Sequence, residues 1–150
     1  MILYLDASAI VKQYVFELGS AQVQAAVVES EINGTSIVSR AEVHAALRKA
    51  TRVGVIEEKA GSAAVRDFDR NWPSLVRTRV TERLVKHAGD LAWTHNLRGF
   101  DSLHLASAAA WQQALGREVT LASFDRALWA AAERIGLLQF PIDLPQLLRP

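Results

Sequence analysis

Four carboxylates stand at positions from which they could act together on one substrate. Asp6 ends an apolar run, Glu42 lies one turn into a helical pattern, and Asp101 and Asp125 each open such a pattern. If these side chains meet, each close pair of like charges costs on the order of 4 kcal/mol at an effective dielectric constant near 20. Protons or a divalent cation must then compensate the charge. The chain contains no Cys, and a site built from oxygen ligands favours Mg²⁺ or Mn²⁺ over zinc.

Each carboxylate also has a purely structural interpretation. Aspartate is a preferred N-cap, so Asp6, Asp101 and Asp125 could cap the helices that follow them and do nothing more. Residues 39–42 read Ser-Arg-Ala-Glu, which fits the capping box in which the glutamate bonds back to the N–H of the cap residue. Spacing alone does not decide between capping and chemistry.

Strands that alternate with helices are expected to position these carboxylates. The sequence predicts strands at 2–5, 35–38, 75–80, 119–122 and 137–140, with a turn at 33–34. It predicts helices at 8–14 capped by Ser8, 20–30 capped by Ser20, 39–50, 56–71, 82–94 capped by Thr81, 101–115 and 125–135 before Gly136. This alternation predicts an α/β protein, a three-layer α/β/α sandwich with a central, mostly parallel sheet of four to five strands. Ligands of such sheets bind beyond the carboxyl ends of the strands.

Composition excludes several other classes of protein. The 150 residues, 50% of them apolar and 22% charged, predict one domain over residues 1–150 rather than a disordered chain. No apolar run approaches the roughly 18 residues of a membrane span, and Asp6 interrupts the first run too early for a signal peptide. We therefore expect a soluble, cytoplasmic protein with no membrane partner. Seventeen Lys and Arg against sixteen Asp and Glu exclude nucleic-acid binding by bulk charge alone.

Other residue patterns carry weaker signals. Arg40, His44, Arg48 and Arg52 recur at every fourth residue, which predicts a solvated helix face or, alternatively, a track for phosphates. His104 follows Asp101 by one turn, and we expect it to hold a helix start in place. The chain has no Gly-rich phosphate loop and no Gly-x-Ser-x-Gly elbow, so nucleotide-binding and esterase functions lack support.

Four segments together resemble the acidic motifs of PIN-domain nucleases. They read Leu-Asp-Ala-Ser-Ala at 5–9, Ser-Arg-Ala-Glu-Val at 39–43, Arg-Gly-Phe-Asp-Ser-Leu-His-Leu-Ala at 98–106 and Leu-Ala-Ser-Phe-Asp-Arg-Ala-Leu at 121–128. Each motif alone is weak, but their order and spacing fit from residue 1 to about residue 140. The chain most resembles the VapC-type toxins of bacterial toxin–antitoxin pairs, which are bare PIN domains of this length. Ser123 stands where Thr is commoner in the family, and it keeps the hydroxyl.

This resemblance implies an endoribonuclease that depends on Mg²⁺ or Mn²⁺. Asp6 and Asp101 would bind the metal directly. Asp125 and Glu42 would complete its shell, either directly or through water. Ser8 and Ser123 would orient a carboxylate or the attacking water. In-line attack by water would leave a 5′-phosphate and a 3′-hydroxyl without a covalent intermediate. The resemblance further implies an RNA substrate, a homodimer and a cognate small antitoxin whose tail lies near the acidic pocket and can present an arginine to it.

Three alternatives to an RNase toxin remain open from the sequence. The chain could be a PIN-domain ribonuclease that is not a toxin, or a PIN fold kept as a binding module with vestigial carboxylates. The intact set of four carboxylates argues against the binding module. A Mg²⁺-dependent phosphatase or phosphotransfer domain would use an aspartate nucleophile with a second acid two residues later, but Ser8 stands two residues after Asp6.

Overall fold

A computed structural model of the chain describes residues 1–149 and contains a five-stranded sheet. The strands are β1 (Ile2–Leu5), β2 (Ile32–Ser36), β3 (Val76–Thr78), β4 (Thr120–Ala122) and β5 (Leu138–Phe140). They lie in the order β3-β2-β1-β4-β5, and neighbouring strands pair in parallel throughout. The predicted parallel sheet is confirmed.

Helices connect the strands and cover the sheet. They are α1 (Ala7–Val11), α2 (Ser20–Glu29), α3 (Ser39–Arg52), α4 (Glu58–Asn71), α5 (Glu82–His95), α6 (Gly99–Leu115), α7 (Arg126–Arg134) and α8 (Leu144–Leu147). A short 3₁₀ turn at Trp72–Ser74 links α4 to β3. Helix α8 was not predicted from the sequence. Within residues 1–149, each helix is too short or too polar to cross a membrane.

The central strand β1 contributes to two separate cores. Successive side chains of a strand point to opposite faces of the sheet, and all four residues of β1 are buried. Ile2 and Tyr4 pack with buried residues of α5, α6 and α7. Leu3 and Leu5 pack with buried residues of α1, α2, α3 and α4. The sheet is therefore covered on both faces, which confirms the three-layer α/β/α sandwich.

The turn predicted at residues 33–34 is wrong, because both residues lie inside β2. Asn33 pairs with Leu3 of β1, and Gly34 pairs with Tyr4. The glycine is needed for packing: a Cβ at Gly34 would lie 2.5 Å from the ring of Trp111. Strand β2 consequently begins three residues earlier than predicted and ends at residue 36.

Two predicted serine caps are also wrong, because their hydroxyls bind elsewhere. Asp6, not Ser8, caps α1 by accepting a hydrogen bond from a backbone N–H in the first turn. Gly19, whose φ is 88°, occupies the N-cap position of α2. The Ser20 hydroxyl donates instead to the carbonyl of Val15. Asp6 therefore combines a capping role with its position at the end of β1.

The later helix starts agree more closely with the sequence. Thr81 and Asp125 cap α5 and α7 with their side chains, as predicted. Helix α6 begins at Gly99, so Asp101 lies in its first turn and does not cap it. Gly136, whose φ is 82°, follows α7 and leads the chain into β5. The carboxylates at 101 and 125 thus both lie at helix starts, with different local roles.

Candidate active site

A cleft of about 290 Å³ opens at the carboxyl-terminal edge of the sheet. Strands β1 and β4 are neighbours there, and the strands next to them, β2 and β5, lie on opposite sides. This is the switch point at which open α/β sheets bind ligands. The cleft is lined by Asp6, Ala7, Ser8, Glu42, Arg98, Asp101, His104, Phe124 and Asp125. The structure thus brings the four carboxylates selected from the sequence to one cleft.

Asp6 is the buried carboxylate of the cleft, with 4% of the residue exposed. Its Oδ1 accepts hydrogen bonds from the Ser8 hydroxyl at 2.6 Å and from the N–H of Ala9 at 2.8 Å. Its Oδ2 accepts a hydrogen bond from the Ser123 hydroxyl at 2.6 Å. Burial raises the pKa of the Asp6 carboxyl, while the neighbouring His104 and these three hydrogen bonds act in the opposite direction. The negative charge of Asp6 is therefore costly and only partly compensated.

The two serine hydroxyls tie the end of β1 to the loop after β4. Besides donating to Asp6, Ser8 Oγ accepts a hydrogen bond from the N–H of Phe124 at 2.9 Å. Ser123 Oγ likewise accepts one from the N–H of Asp125 at 3.1 Å. Each hydroxyl thus has both a donor and an acceptor role, which fixes its orientation. The position of Asp6 follows from this small network.

Arg98 links the two carboxylates at the helix starts. Its Nε donates to Asp101 Oδ2 at 2.8 Å, and its Nη2 donates to Asp125 Oδ2 at 2.9 Å. Asp125 uses its other oxygen, Oδ1, to accept hydrogen bonds from two backbone N–H groups of α7. The hydrogen bond and charge of Asp101, followed by the charge of Asp125, raise the pKa of Arg98. One guanidinium therefore compensates two carboxylates of the cleft.

Glu42 does not form the predicted capping box. Its Oε1 lies 2.8 Å from His104 Nε2, and Val38 occupies the N-cap position of α3 without a side-chain hydrogen bond. The Ser39 hydroxyl lies 2.7 Å from the hydroxyl of Thr35 in β2. Both members of the proposed box are therefore drawn to tertiary partners. Glu42 faces the cleft because of its contact with His104.

A chain of two hydrogen bonds, from Tyr4 through the buried His104, holds Glu42 in place. His104 is 2% exposed, and its Nδ1 lies 2.9 Å from the hydroxyl of Tyr4. Burial raises the pKa of Tyr4, so its hydroxyl keeps its proton. When His104 is neutral, Tyr4 donates to Nδ1, and the Nε2–H then donates to Glu42. His104 does hold a residue at a helix start, as expected, but the helix is α3 rather than its own.

A protein-family model described as PIN domain matches residues 3–136 of this chain. The chain belongs to the PIN-domain family. Ribonuclease VapC45 of Mycobacterium tuberculosis is 35% identical to it over 144 residues, which covers 95% of this PIN domain and 97% of the relative. The region matched by the family model, residues 3–136, contains all four carboxylates of the cleft.

Solved structures share the fold of this PIN domain at lower sequence identity. A crystal structure from Pyrobaculum aerophilum superposes with a TM-score of 0.65 at 21% identity, covering 98% of this chain and 89% of that chain. A toxin–antitoxin complex from Klebsiella pneumoniae contains a chain that superposes with a TM-score of 0.55 at 13% identity, covering 80% of this chain and 84% of that chain. At these identities, the likeness concerns the fold alone.

The oxygen donors of the cleft fit a hard divalent cation by their chemistry. Within residues 1–149, however, no group of three or more His, Asp or Glu side chains is arranged so that it could hold a metal ion. Each carboxylate is instead engaged by its own partner, the two serines, Arg98 or His104. The donor set is therefore of the chemical kind that Mg²⁺ and Mn²⁺ prefer, while two of its members, Asp101 and Asp125, are paired with Arg98.

The basic stripe on α3, made of Arg40, His44, Arg48 and Arg52, lies against acidic residues of α4. Arg40 and His44 contact Asp69 at 3.3 Å and 2.9 Å, and Arg48 contacts Glu58 at 3.0 Å. The stripe is exposed, as the solvated-face interpretation predicts, but its first three members already have anionic partners. Binding of phosphates there requires that these pairs be exchanged.

Two contacts that shape the cleft were not predicted from the sequence. Arg98 precedes Asp101 by three residues, a spacing at which opposite charges on a helix attract one another, so this pair had a usable signal. Nothing in the sequence indicates that Arg98 also reaches Asp125, 27 residues away. The contact of His104 with Glu42 spans 62 residues and likewise depends on how the helices pack.

Proposed function

We propose that this PIN domain is an endoribonuclease that uses Mg²⁺ or Mn²⁺, and that it is the toxin of a toxin–antitoxin pair. The observation that carries the proposal is the meeting of four carboxylates in one cleft at the switch point of the sheet. Relatives named ribonucleases, 35% identical over 95% of the chain, support RNA as the substrate. Tertiary contacts, rather than helix capping alone, direct these carboxylates to the cleft.

The divalent cation would be held by the carboxylates that line the cleft, Asp6, Asp101, Asp125 and Glu42. When bound, such an ion lowers the pKa of water and neutralises charge that develops on the phosphoryl group. Asp6 contributes a buried carboxylate whose charge is only partly compensated by its own hydrogen bonds. A site with this excess of negative charge attracts a hard cation.

Ser8 and Ser123 would act by keeping Asp6 in one orientation. Their hydroxyls donate to the two different oxygens of Asp6 and themselves accept backbone N–H groups. Groups that are held in place before the reaction do not have to reorganise during it. The serines are therefore positioning residues in this proposal.

Glu42 would bind or deprotonate water. Its side chain is 25% exposed, while the imidazole that holds it is buried. One carboxylate oxygen is thus fixed by His104, and the group still reaches solvent. A carboxylate within hydrogen-bond reach of a water can accept a proton as water attacks.

The reaction would proceed by direct attack of water on the phosphodiester. The chain has no Cys, and the Ser8 and Ser123 hydroxyls are already committed to Asp6. Asp6 accepts short hydrogen bonds on both oxygens, which disfavours the aspartate nucleophile of a phosphotransfer domain. Attack by water in line with the 3′-oxygen would form the new P–O bond as the P–O3′ bond breaks, which leaves a 5′-phosphate and a 3′-hydroxyl.

The proposal extends to protein partners. One protein with this fold was solved as a toxin–antitoxin complex, and an acidic cleft is complementary to an arginine side chain of a small antitoxin. We therefore propose a cognate antitoxin that covers the cleft. The homodimer expected from the sequence remains a prediction.

Product analysis tests the proposed activity. The purified protein, free of antitoxin, is incubated with structured RNA and Mg²⁺ or Mn²⁺, and the fragment ends are mapped. We expect fragments that carry a 5′-phosphate and whose formation stops on addition of excess chelator. Fragments that end in a 2′,3′-cyclic phosphate would contradict attack by water. RNA that is bound but never cut, across a set of defined stem-loops, would favour the binding module.

A further inference from the structure

Arg98 contacts the acidic cleft from its solvent side. The Arg98 side chain is 78% exposed, whereas the side chains of Asp101 and Asp125 are 16% and 29% exposed. Its guanidinium donates to Oδ2 of both aspartates, at 2.8 Å and 2.9 Å. The arginine therefore lies over the two carboxylates and has access to solvent.

The oxygens that Arg98 contacts are not needed to hold the helices. Asp125 caps α7 through Oδ1, and its Oδ2 is left for Arg98. Asp101 does not cap α6, since Arg98 itself occupies the N-cap position of that helix. Both Oδ2 atoms can therefore pass to another cation without the loss of either helix start.

Arginine is a permanent cation, and its guanidinium can donate to two carboxylates at once. Asp101 and Asp125 lie 24 positions apart in the sequence, at the starts of two different helices, so their repulsion is a tertiary effect. Without a positive charge between them, each would raise the cost of ionising the other. Arg98 provides that charge from within the chain.

We propose that Arg98 is a built-in competitor for the divalent cation, occupying Oδ2 of Asp101 and Oδ2 of Asp125 until the ion displaces it. This inference rests on the metal-dependent function proposed above. A guanidinium and a divalent cation on the same two oxygens are like charges that repel each other, so each weakens the binding of the other. Because the side chain of Arg98 is exposed, it can rotate away without any repacking of the core. Arg98 thereby sets the concentration of metal at which the site fills.

A metal titration with a matched control tests the competition. Arg98→Gln removes the competing cation. Arg117→Gln removes an exposed arginine outside the cleft, whose guanidinium lies 2.7 Å from the carboxylate of Glu31. Both variants lower the net charge by one. Because two ion pairs no longer compete with the ion, we expect Arg98→Gln to bind Mn²⁺ roughly 2- to 30-fold more tightly than the wild type. We expect Arg117→Gln to bind Mn²⁺ within about twofold of the wild type in calorimetry.

A second measurement detects the displacement itself. The Nε–H signal of Arg98 is assigned in a nitrogen-15 spectrum as the arginine signal that Arg98→Gln lacks. On titration with Mg²⁺, we expect this signal to move towards the position of a freely solvated arginine. The signal of Arg117 should stay in place, because its contact with Glu31 is not affected by the ion.

The outcomes separate this inference from the function on which it rests. Tighter binding by Arg98→Gln, together with movement of the Arg98 signal, supports the competition. Metal binding that is equal in wild type and Arg98→Gln, or an Arg98 signal that stays in place at saturating Mg²⁺, overturns the inference and leaves the proposed function standing. If neither protein binds Mg²⁺ or Mn²⁺ at millimolar concentrations, the metal-dependent function fails as well.

Discussion

Replacing Ser123 by alanine tests whether the hydroxyl network around Asp6 stabilises a buried charge. Ser123 is fully buried, and its hydroxyl donates to Asp6 Oδ2 at 2.6 Å. Ser123→Ala removes this donor and leaves the carboxylate oxygen without it in a buried site. A hydrogen bond to a charged group contributes about 1.5–3 kcal/mol. The Asp125 N–H also loses its acceptor, but that residue is partly exposed and can bind water instead.

The predicted loss for Ser123→Ala is therefore about 2–3 kcal/mol of unfolding free energy near pH 7 in chelator. For a domain of this size it corresponds to a decrease of about 4–12 °C in melting temperature. Ser107 provides the matched control, because it is also fully buried and its hydroxyl has no hydrogen-bond partner within residues 1–149. We expect Ser107→Ala to stay within about 0.5 kcal/mol of the wild type, since it removes a buried hydroxyl that is not satisfied.

The stability loss caused by Ser123→Ala should depend on pH in a definite direction. Burial raises the pKa of Asp6 in the folded protein. The free energy of unfolding therefore falls as the pH rises from the pKa of Asp6 in the unfolded chain through its pKa in the folded protein. The Ser123 hydrogen bond lowers that pKa, and its loss raises the pKa further. The deficit of Ser123→Ala should thus be largest at neutral pH and shrink in acid. Denaturant unfolding at several pH values measures this deficit, and equal deficits for the two alanine variants at neutral pH would show that the Ser123 hydroxyl does not stabilise the charge of Asp6.

Three further changes have expected outcomes. Replacing Arg48 and Arg52 by Gln should leave the salt dependence of RNA binding nearly unchanged in a filter-binding assay, because Arg48 already pairs with α4. If the slope of log K against log salt concentration instead falls by about 0.7–0.9 for each lost contact, the stripe binds phosphates. Gly34→Ala should lower stability by about 1–3 kcal/mol in denaturant unfolding, since its Cβ overlaps a buried indole ring. Asp101→Asn should change stability in chelator by at most about 1 kcal/mol, because Arg98 already compensates this carboxylate; a gain of several kcal/mol would show uncompensated repulsion.

Local patterns in the sequence were enough to predict the sheet and the places of the carboxylates. Four consecutive apolar residues followed by an acid predict a strand that is buried on both faces and ends at Asp6. The acids near the starts of later helices follow from alternation of strands and helices. The resemblance to PIN domains then grouped them, and the structure places them around one cleft.

Local patterns failed where a distant partner overrode them. Gly34 carries a turn signal, but the ring of Trp111 occupies the space that a Cβ would need, so the glycine serves a strand. Glu42 has the spacing of a capping box, but the buried imidazole of His104 is a better partner. The reach of Arg98 to a second carboxylate depends on the distance between two helix starts, which no local pattern encodes.

The proposed function requires one cation-dependent site in this cleft that hydrolyses RNA. The most direct test compares the rate of RNA cleavage with the occupancy of the protein by Mn²⁺, both measured over the same range of Mn²⁺ concentrations. We expect the two curves to rise together, and we expect Asp101→Asn to lose both tight binding and cleavage by orders of magnitude. Cleavage at the full rate in excess chelator, or full activity in Asp101→Asn, would contradict a metal-dependent site that includes Asp101.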